Sequence, residues 1–292
     1  MREELLLDVP HRQVVFTVPK MLRLFFRFKR KLLNDPCLCA VRTLVKSLYT
    51  ATGLDLMPGV VIVIQTFGDR INFHPHIHVL ITEGGTAADG AFHRLCRFHD
   101  EVIQEIFTHE VFSLLLREKL IGLPLVEKIL RWRHTGFNVH SKVRATSMRE
   151  AERVGKYMIR PLLSLKRLFF DETAGKVRYQ YSRHASQEES MDYLEFIARV
   201  TSHIPDKGQV MIRYCGLYSN AHRGKIRKAG ALSFHPPIIE EEYHVPSRGW
   251  AEMIRKVYEA DPLRCPSCGG QMRIKLFCFF CCLLYTSPSP RD

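Results

Sequence analysis

The chain has 292 residues, and 43 Lys and Arg against 30 Asp and Glu give it a formal net charge of +13 at pH 7. Its 46% hydrophobic and 25% charged residues are typical of a globular protein, and no apolar run approaches the roughly 18 residues of a membrane span. Without a signal peptide at its start, the chain is expected to be cytoplasmic, and its positive charge favours a polyanionic partner such as nucleic acid.

The first third of the chain predicts strands and helices in alternation. Residues 11–19 (HRQVVFTVP) are rich in β-branched side chains and predict a strand. Leucines and phenylalanines recur at helical spacing over residues 22–50, which predicts one or two basic surface helices. Residues 60–66 and 71–82 predict two strands of a hairpin with a turn at residues 68–70.

Later segments continue the mixed pattern. Residues 147–150 (SMRE) form a capping box that begins a helix over residues 147–160, which Pro161 ends. The other predicted elements are helices at 91–131 and 191–202 and strands at 139–145, 176–183 and 210–214. We therefore predict an α+β domain over residues 1–230, with an antiparallel sheet and flanking helices, followed by an irregular C-terminal extension over residues 231–281.

Three alternating histidines are the most informative feature of the sequence. In residues 73–80 (FHPHIHVL), His74, His76 and His78 project from one face of the predicted strand, because side chains alternate across a strand. Imidazoles suit a divalent metal ion. Two classes of enzyme use this pattern: the His-hydrophobic-His nucleases, which bind a metal, and the histidine-triad nucleotide hydrolases, which use a histidine nucleophile.

A tyrosine on the predicted helix distinguishes these two classes. A His-hydrophobic-His nuclease needs a tyrosine beside the sheet, whose phenolate attacks phosphorus to form a 5′-phosphotyrosine. Tyr157 meets this requirement, and Lys156 and Arg160 lie near enough in sequence to favour phenolate and attract phosphate. By contrast, Tyr214 and Tyr218 flank Gly216, which interrupts a helix, so we expect a structural or DNA-stacking role for them.

These residues resemble a known family, the IS91-like rolling-circle transposases of bacterial insertion sequences, within the His-hydrophobic-His endonuclease superfamily. The resemblance rests on HRQVVFTVP, QTFG followed by FHPHIHVL, KYMIRP, HIPDKG, RYCGLYSN and DPLRCPSC, in this order along the chain. It implies that Tyr157 nicks single-stranded DNA at transposon ends. It also implies that His76 and His78 hold Mg²⁺ or Mn²⁺ and that the cut releases a 3′-OH for replicative transfer.

The sequence departs from this family in two ways. Many members carry a second tyrosine four residues earlier on the helix, where this chain has Arg153, so it resembles a one-tyrosine branch. Members usually begin with a Cys-rich module, which is absent before the first strand here. We therefore expect a chain truncated at its start.

The sequence does not determine the third metal ligand. Gln65 and Asp69 lie on or just after the neighbouring strand, His74 lies on the same strand, and Glu152 lies on the tyrosine helix. We favour a polar ligand other than His74, because Pro75 distorts the strand between His74 and the other two histidines.

Basic residues concentrate around Tyr157 and beyond it. Residues 127–183 contain 14 Lys and Arg against 5 Asp and Glu, and residues 207–228 contain six basic and no acidic residues, interleaved with aromatic side chains. Such a mixture is typical of a groove that binds single-stranded DNA. The predicted DNA contacts are Lys156, Arg160, Arg213, Arg223 and Lys225.

The cysteines predict a metal site and several reduced thiols, and the last residues predict a non-native tail. Cys265 and Cys268 form a CxxC pair that predicts a Zn²⁺ site, whereas Cys37, Cys39, Cys96 and Cys215 are expected to be reduced thiols. Residues 282–292 (CLLYTSPSPRD) resemble the translation of a sequencing-library adapter, so we expect a non-native tail and a missing native C-terminus.

Three other functions are compatible with these motifs. A plasmid relaxase or replication initiator would use the same chemistry on a different DNA sequence. A histidine-triad nucleotide hydrolase would not need Tyr157. A degraded DNA-binding remnant would bind single strands without forming a covalent adduct.

Overall fold

The computed structural model describes residues 5–95, 98–181, 187–229 and 236–240. Its first half contains β1 (His11–Thr17), α1 (Arg23–Phe28), α2 (Asp35–Thr52), β2 (Gly59–Phe67), β3 (Phe73–Thr82), β4 (Gly84–Thr86), β5 (Phe92–Arg94), α3 (Asp100–Arg117), α4 (Leu123–Leu130) and β6 (Asn138–Ala145). Its second half contains α5 (Met148–Met158), β7 (Leu168–Asp171), β8 (Lys176–Gln180), β9 (Glu188–Asp192), α6 (Tyr193–Thr201), β10 (Ile212–Gly216), α7 (Asn220–Lys228) and β11 (Ile238–Ile239).

The main sheet has five strands in the order β10-β2-β3-β1-β6, and every neighbouring pair is antiparallel. Helices cover both of its faces, which confirms the predicted α+β class. No helix among the described residues is long and apolar enough to cross a membrane.

The two faces of the sheet have different partners because side chains alternate along each strand. On one face, Phe16, Ile62 and Val79 pack with buried side chains of α2 and α3 in the larger hydrophobic core. On the other face, Val61, Val63 and Leu80 pack with Ala151 and Met158 of α5 in a smaller core. The alternating histidines of β3 belong to this second face, so α5 and the histidines share one side of the sheet.

The cysteines of α2 behave as small apolar residues. Cys37 and Cys39 are buried free thiols, and burial raises the pKa of Cys37 to about 12 and that of Cys39 to about 11. Cys215 is a half-buried free thiol whose pKa burial also raises. These three match the expectation of reduced thiols, whereas Cys96 lies outside the described residues.

The prediction of a helix over residues 91–131 is wrong at its start. β5 forms a strand that pairs with β4, and the helices α3 and α4 follow it. The strand forms because Gly84, at φ 130°, lets the two backbones approach closely: a Cβ at this position would lie 2.0 Å from the carbonyl oxygen of His93. The sequence shows two glycines at the start of β4, but only the fold shows that β5 is the strand that pairs with them.

Tyr218 has a structural role, which is one of the two roles expected from its sequence context. Its ring is buried, and its hydroxyl lies 2.5 Å from Nε2 of His11 and accepts a hydrogen bond from the backbone N–H of Leu7. The ring packs against Gly59 of β2, where a Cβ would lie 2.6 Å from it. Tyr218 therefore ties the N-terminal strand to the segment after β10, and burial raises the pKa of its hydroxyl.

Replacing His11 by phenylalanine is expected to reduce the loss of stability on acidification. Burial lowers the pKa of His11 from 6.5 to about 4, so between these values the unfolded chain binds a proton that the folded chain does not. His11 thus makes the folded state less stable as pH falls through this window, by up to about 3 kcal/mol.

Urea unfolding at pH 8, 6 and 5 checks this prediction. The free energy of unfolding should fall less steeply with acid in His11→Phe than in the unmodified chain, whatever the difference between the two at pH 8. Equal slopes in the two proteins would show that His11 is not held neutral by burial.

Candidate active site

The three histidines of β3 lie side by side on the face that α5 covers. The ring centroids of His76 and His78 are 4.8 Å apart, and those of His74 and His76 are 5.4 Å apart. The pairing of β2 with β3 shifts its register between Gln65 and Phe67, opposite the stretch of β3 that contains Pro75. The strand is thus irregular beside His74, as the proline predicts, and regular along His76 and His78.

Burial keeps these imidazoles neutral. It lowers the pKa of His78 to about 3 and that of His74 to about 4, and it also lowers the pKa of His76. Nδ1 of His76 donates a hydrogen bond to the carbonyl oxygen of His74 at 2.8 Å, so Nε2 carries the free lone pair. A neutral imidazole with one nitrogen oriented by a carbonyl is the form that binds a metal ion.

Gln13 of β1 orients His78, a role that the sequence analysis did not identify. Its side chain is buried, and its Nε2 lies 3.1 Å from Nδ1 of His78. Amide nitrogen and oxygen are interchangeable by a flip, and in the flipped state Oε1 accepts from Nδ1–H and leaves Nε2 of His78 free. The signal in the sequence is a lone glutamine among the apolar residues of the first strand.

The residues around His76 and His78 include one candidate third ligand, Gln65. Among residues 5–95, 98–181, 187–229 and 236–240, no three His, Cys, Asp or Glu side chains come together so as to hold a metal. Gln65 lies opposite His76 on β2, and its buried Oε1 has no hydrogen-bond partner. Nε2 of His74 is also buried without a partner, whereas Asp69 is exposed and Glu152 lies half-buried on α5. An unpartnered amide oxygen beside two neutral imidazoles fits a divalent cation.

Helix α5 carries Tyr157 to the histidines. The helix begins after Ser147, whose Oγ accepts from the backbone N–H of Glu150 at 3.3 Å, as predicted. The carboxylate of Glu150 accepts from both the backbone N–H and Oγ1 of Thr146, the residue before the N-cap. Nε2 of Gln65 donates a hydrogen bond to the carbonyl oxygen of Met158 at 2.5 Å, and this bond holds the last turn of α5 against β2.

Tyr157 remains accessible above the sheet. Its side chain is 56% exposed, and its ring centroid lies 6.4 Å from that of His78 in an edge-to-face arrangement. The guanidinium carbon of Arg160 lies 5.8 Å from the same ring, and its Nη2 lies 3.3 Å from Oδ1 of Asp69. A tyrosine hydroxyl, two neutral imidazoles and a guanidinium therefore lie on one side of the sheet.

The other predicted DNA contacts are distributed over both faces. Lys156 is exposed beside Tyr157, Lys225 is exposed on α7, and the guanidinium of Arg223 lies 5.9 Å from the ring of Tyr214. Arg213 lies on the opposite face, where its Nη2 donates to Oδ1 of Asn34 at 2.7 Å, so the structure does not bring it to Tyr157. Cys265 and Cys268 and the tail over residues 282–292 lie outside the described residues.

The turn between β2 and β3 is strained and held by a histidine from a distant segment. Ile71 has φ 56°, a left-handed conformation that is rare for a β-branched residue. Nε2 of His203 lies 3.0 Å from the carbonyl oxygen of Ile71, and its Nδ1 lies 3.0 Å from Oγ1 of Thr66. His203 thus fixes the turn that carries Asp69, and no spacing in the sequence predicts this contact.

An open groove of about 640 Å³ begins at Tyr157. Its walls come from the β2–β3 turn, the end of α5 and the segment around β7 and β8. The lining residues are Gly68, Asp69, Arg70, Asn72, His74, Tyr157, Arg160, Arg167, Tyr181 and Gln187.

Comparison with known proteins identifies the family of this chain. The family model Y2_Tnp, described as "Putative transposase", matches residues 59–225, more than half of the chain. The chain is 28% identical over 291 residues to the transposase for insertion sequence element IS801 of Pseudomonas savastanoi pv. phaseolicola, an alignment that covers 91% of the chain and 67% of that protein. No solved structure matches the chain. The chain therefore belongs to the Y2_Tnp transposase family, and it is an IS91-like transposase.

Proposed function

We propose that this transposase nicks and rejoins single-stranded DNA at transposon ends through a 5′-phosphotyrosine on Tyr157. The observation that carries the proposal is the position of Tyr157, whose ring lies 6.4 Å from that of His78 on the same side of the sheet. The exposure of Tyr157 supports it further, because a nucleophile must reach a phosphate in the DNA backbone.

The residues of the site account for each part of the reaction. The hydroxyl of Tyr157, which is exposed, releases its proton to water, and its oxygen attacks the scissile phosphorus. The new oxygen–phosphorus bond forms as the bond to the 3′ oxygen breaks, and that oxygen takes up a proton to leave as a 3′-OH. Arg160 faces the ring of Tyr157 and stabilises the charge that develops on the phosphate. Rejoining is the reverse of this step.

His76, His78 and Gln65 are the proposed ligands of Mg²⁺ or Mn²⁺. The two imidazoles are neutral, and the buried Oε1 of Gln65 lacks a partner on the adjacent strand. When bound, the ion supplies Lewis-acid polarisation of the scissile phosphate. Asp69, His74 and Glu152 are less suitable, because with His76 and His78 none of them completes a metal-binding group among the described residues.

Mapping the covalent bond tests the proposal. The chain is incubated with single-stranded DNA from a transposon end and Mn²⁺, the adduct is isolated in denaturant, and the DNA is trimmed with nuclease before mass spectrometry. The expected result is a nucleotide on the peptide that contains Tyr157. An adduct on another residue would remove Tyr157 from the mechanism, and the absence of any adduct would favour a DNA-binding remnant.

Replacing Gln13 by leucine is expected to weaken Mn²⁺ binding by about tenfold to a hundredfold, because residues that orient metal-binding histidines have effects of this size. Gln13→Glu keeps an acceptor for Nδ1–H of His78 and should bind Mn²⁺ at least as well as the unmodified chain. Isothermal titration with Mn²⁺ measures both. Equal affinities for Gln13→Leu and the unmodified chain would show that Gln13 does not orient His78.

A further inference from the structure

The segment after α5 forms a small sheet, and Arg167, Tyr181 and Gln187, which flank its strands, line the groove. Its strands β7, β8 and β9 are antiparallel, and α6 follows β9 directly. Val177 and Tyr179 of β8 are buried, and Tyr181 continues this alternation and lines the groove. The small sheet thus has an inner side toward the groove and an outer side that carries Arg178 and Phe169.

The groove carries a surplus of positive charge. Arg70, Arg160 and Arg167 line it against the single carboxylate of Asp69, which is engaged with Arg160. Arg167 is half-buried, and its guanidinium makes no hydrogen bond or ion pair with the described residues. A half-buried guanidinium without an acceptor, facing an open groove, is suited to bind an anion such as a phosphate.

An aromatic ring lies beside these cations. Nη2 of Arg70 donates to the hydroxyl of Tyr181 at 3.2 Å, and the guanidinium carbon lies 4.8 Å from the centre of the ring. Nη1 of Arg199 in turn donates to the backbone carbonyl of Arg70 at 3.1 Å. Tyr181 is therefore held in place at the edge of the groove, where a fixed ring can stack on a base.

We propose that the groove between the β2–β3 turn and the small sheet binds the single-stranded DNA that flanks the scissile phosphate. Arg167 contacts a backbone phosphate, and Tyr181, braced by Arg70, stacks on an unpaired base. Tyr157 is itself one of the residues that line the groove, so a strand bound in the groove reaches the proposed nucleophile. The inference rests on the proposed function, which identifies the bound strand as the one that Tyr157 cuts. Binding itself can be measured without cleavage.

Binding of labelled oligothymidine to the full chain tests the inference, with EDTA present so that metal-dependent cleavage does not occur. Arg167→Gln should weaken binding about tenfold at low salt and reduce the magnitude of the slope of log K against log salt by about 0.7, the value for one phosphate contact to a single strand. Arg178→Gln makes the same change of charge on the outer side of the small sheet and should alter affinity less than twofold.

Two tyrosine variants separate stacking from hydrogen bonding. Tyr181→Ala should weaken binding at least about fivefold, whereas Tyr181→Phe keeps the ring and should bind nearly as well as the unmodified chain. Equal affinities for Arg167→Gln and Arg178→Gln, or for Tyr181→Ala and Tyr181→Phe, would overturn the inference.

The DNA-binding test of the groove and the adduct test of the nicking chemistry can fail independently. If the chain binds oligothymidine through Arg167 and Tyr181 but forms no adduct with transposon-end DNA, the groove is correct and the nicking chemistry fails. If an adduct forms on Tyr157 while the two arginine variants bind DNA alike, the chemistry stands and the groove assignment fails.

Discussion

Tyr157→Phe is expected to abolish the covalent adduct with single-stranded DNA. The change removes one hydroxyl oxygen, which is the proposed nucleophile, and leaves the ring that faces His78 and Arg160. The rate of adduct formation should fall on the order of 10⁴-fold or more, since removing a nucleophile eliminates the covalent step. Because the side chain is 56% exposed, folding should be unaffected. Denaturing gel electrophoresis of the labelled DNA measures the adduct.

A second exposed tyrosine provides the matched control. Tyr49 is 46% exposed on α2, the helix that packs against the opposite face of the sheet, so Tyr49→Phe should form the adduct at the normal rate. Oligothymidine binding by Tyr157→Phe should stay within a few-fold of the unmodified chain. Persistence of the adduct in Tyr157→Phe would exclude this residue as the nucleophile, an outcome that a histidine-triad mechanism requires.

His78→Ala is expected to weaken Mn²⁺ binding by more than about a hundredfold and to prevent adduct formation at micromolar metal. His78 is one of two neighbouring imidazoles whose neutral state suits a metal. Removing a ligand lowers the affinity for the metal more than removing the residue that orients the ligand. His76→Ala should have a similar effect. Chelation of metal from the unmodified chain should stop the reaction, and added Mn²⁺ or Mg²⁺ should restore it.

An exposed histidine distinguishes this effect from a general loss of imidazole. His134 is exposed before β6, and His134→Ala should bind Mn²⁺ as the unmodified chain does. Thermal unfolding of each variant without metal shows whether the fold survives, because His78 is buried beside Gln13. A folded His78→Ala with unchanged Mn²⁺ affinity would show that the metal does not bind at β3.

The local elements around the site are predictable from the sequence because they depend on short-range rules. Alternation along β3 orients His76 and His78, and the capping residue Ser147 begins the helix that carries Tyr157. The resemblance to the family rests on motifs of the same kind, and the family model that matches residues 59–225 confirms the family. Strand β5 was missed because its pairing depends on the close approach of two backbones at Gly84.

The contacts that build the site join residues far apart in the chain, and these only the tertiary structure decided. Gln13 meets His78 because β1 and β3 are neighbours in the sheet, and Gln65 reaches the end of α5 because that helix crosses from β6 toward β2. The local surplus of positive charge predicts that Arg213 contacts DNA, but strand alternation places it on the opposite face beside Asn34. The sequence by itself determined the chemical groups and the family. The strand order determined which of those groups share a face, since hydrogen bonding between strands brings together residues that no spacing along the chain relates.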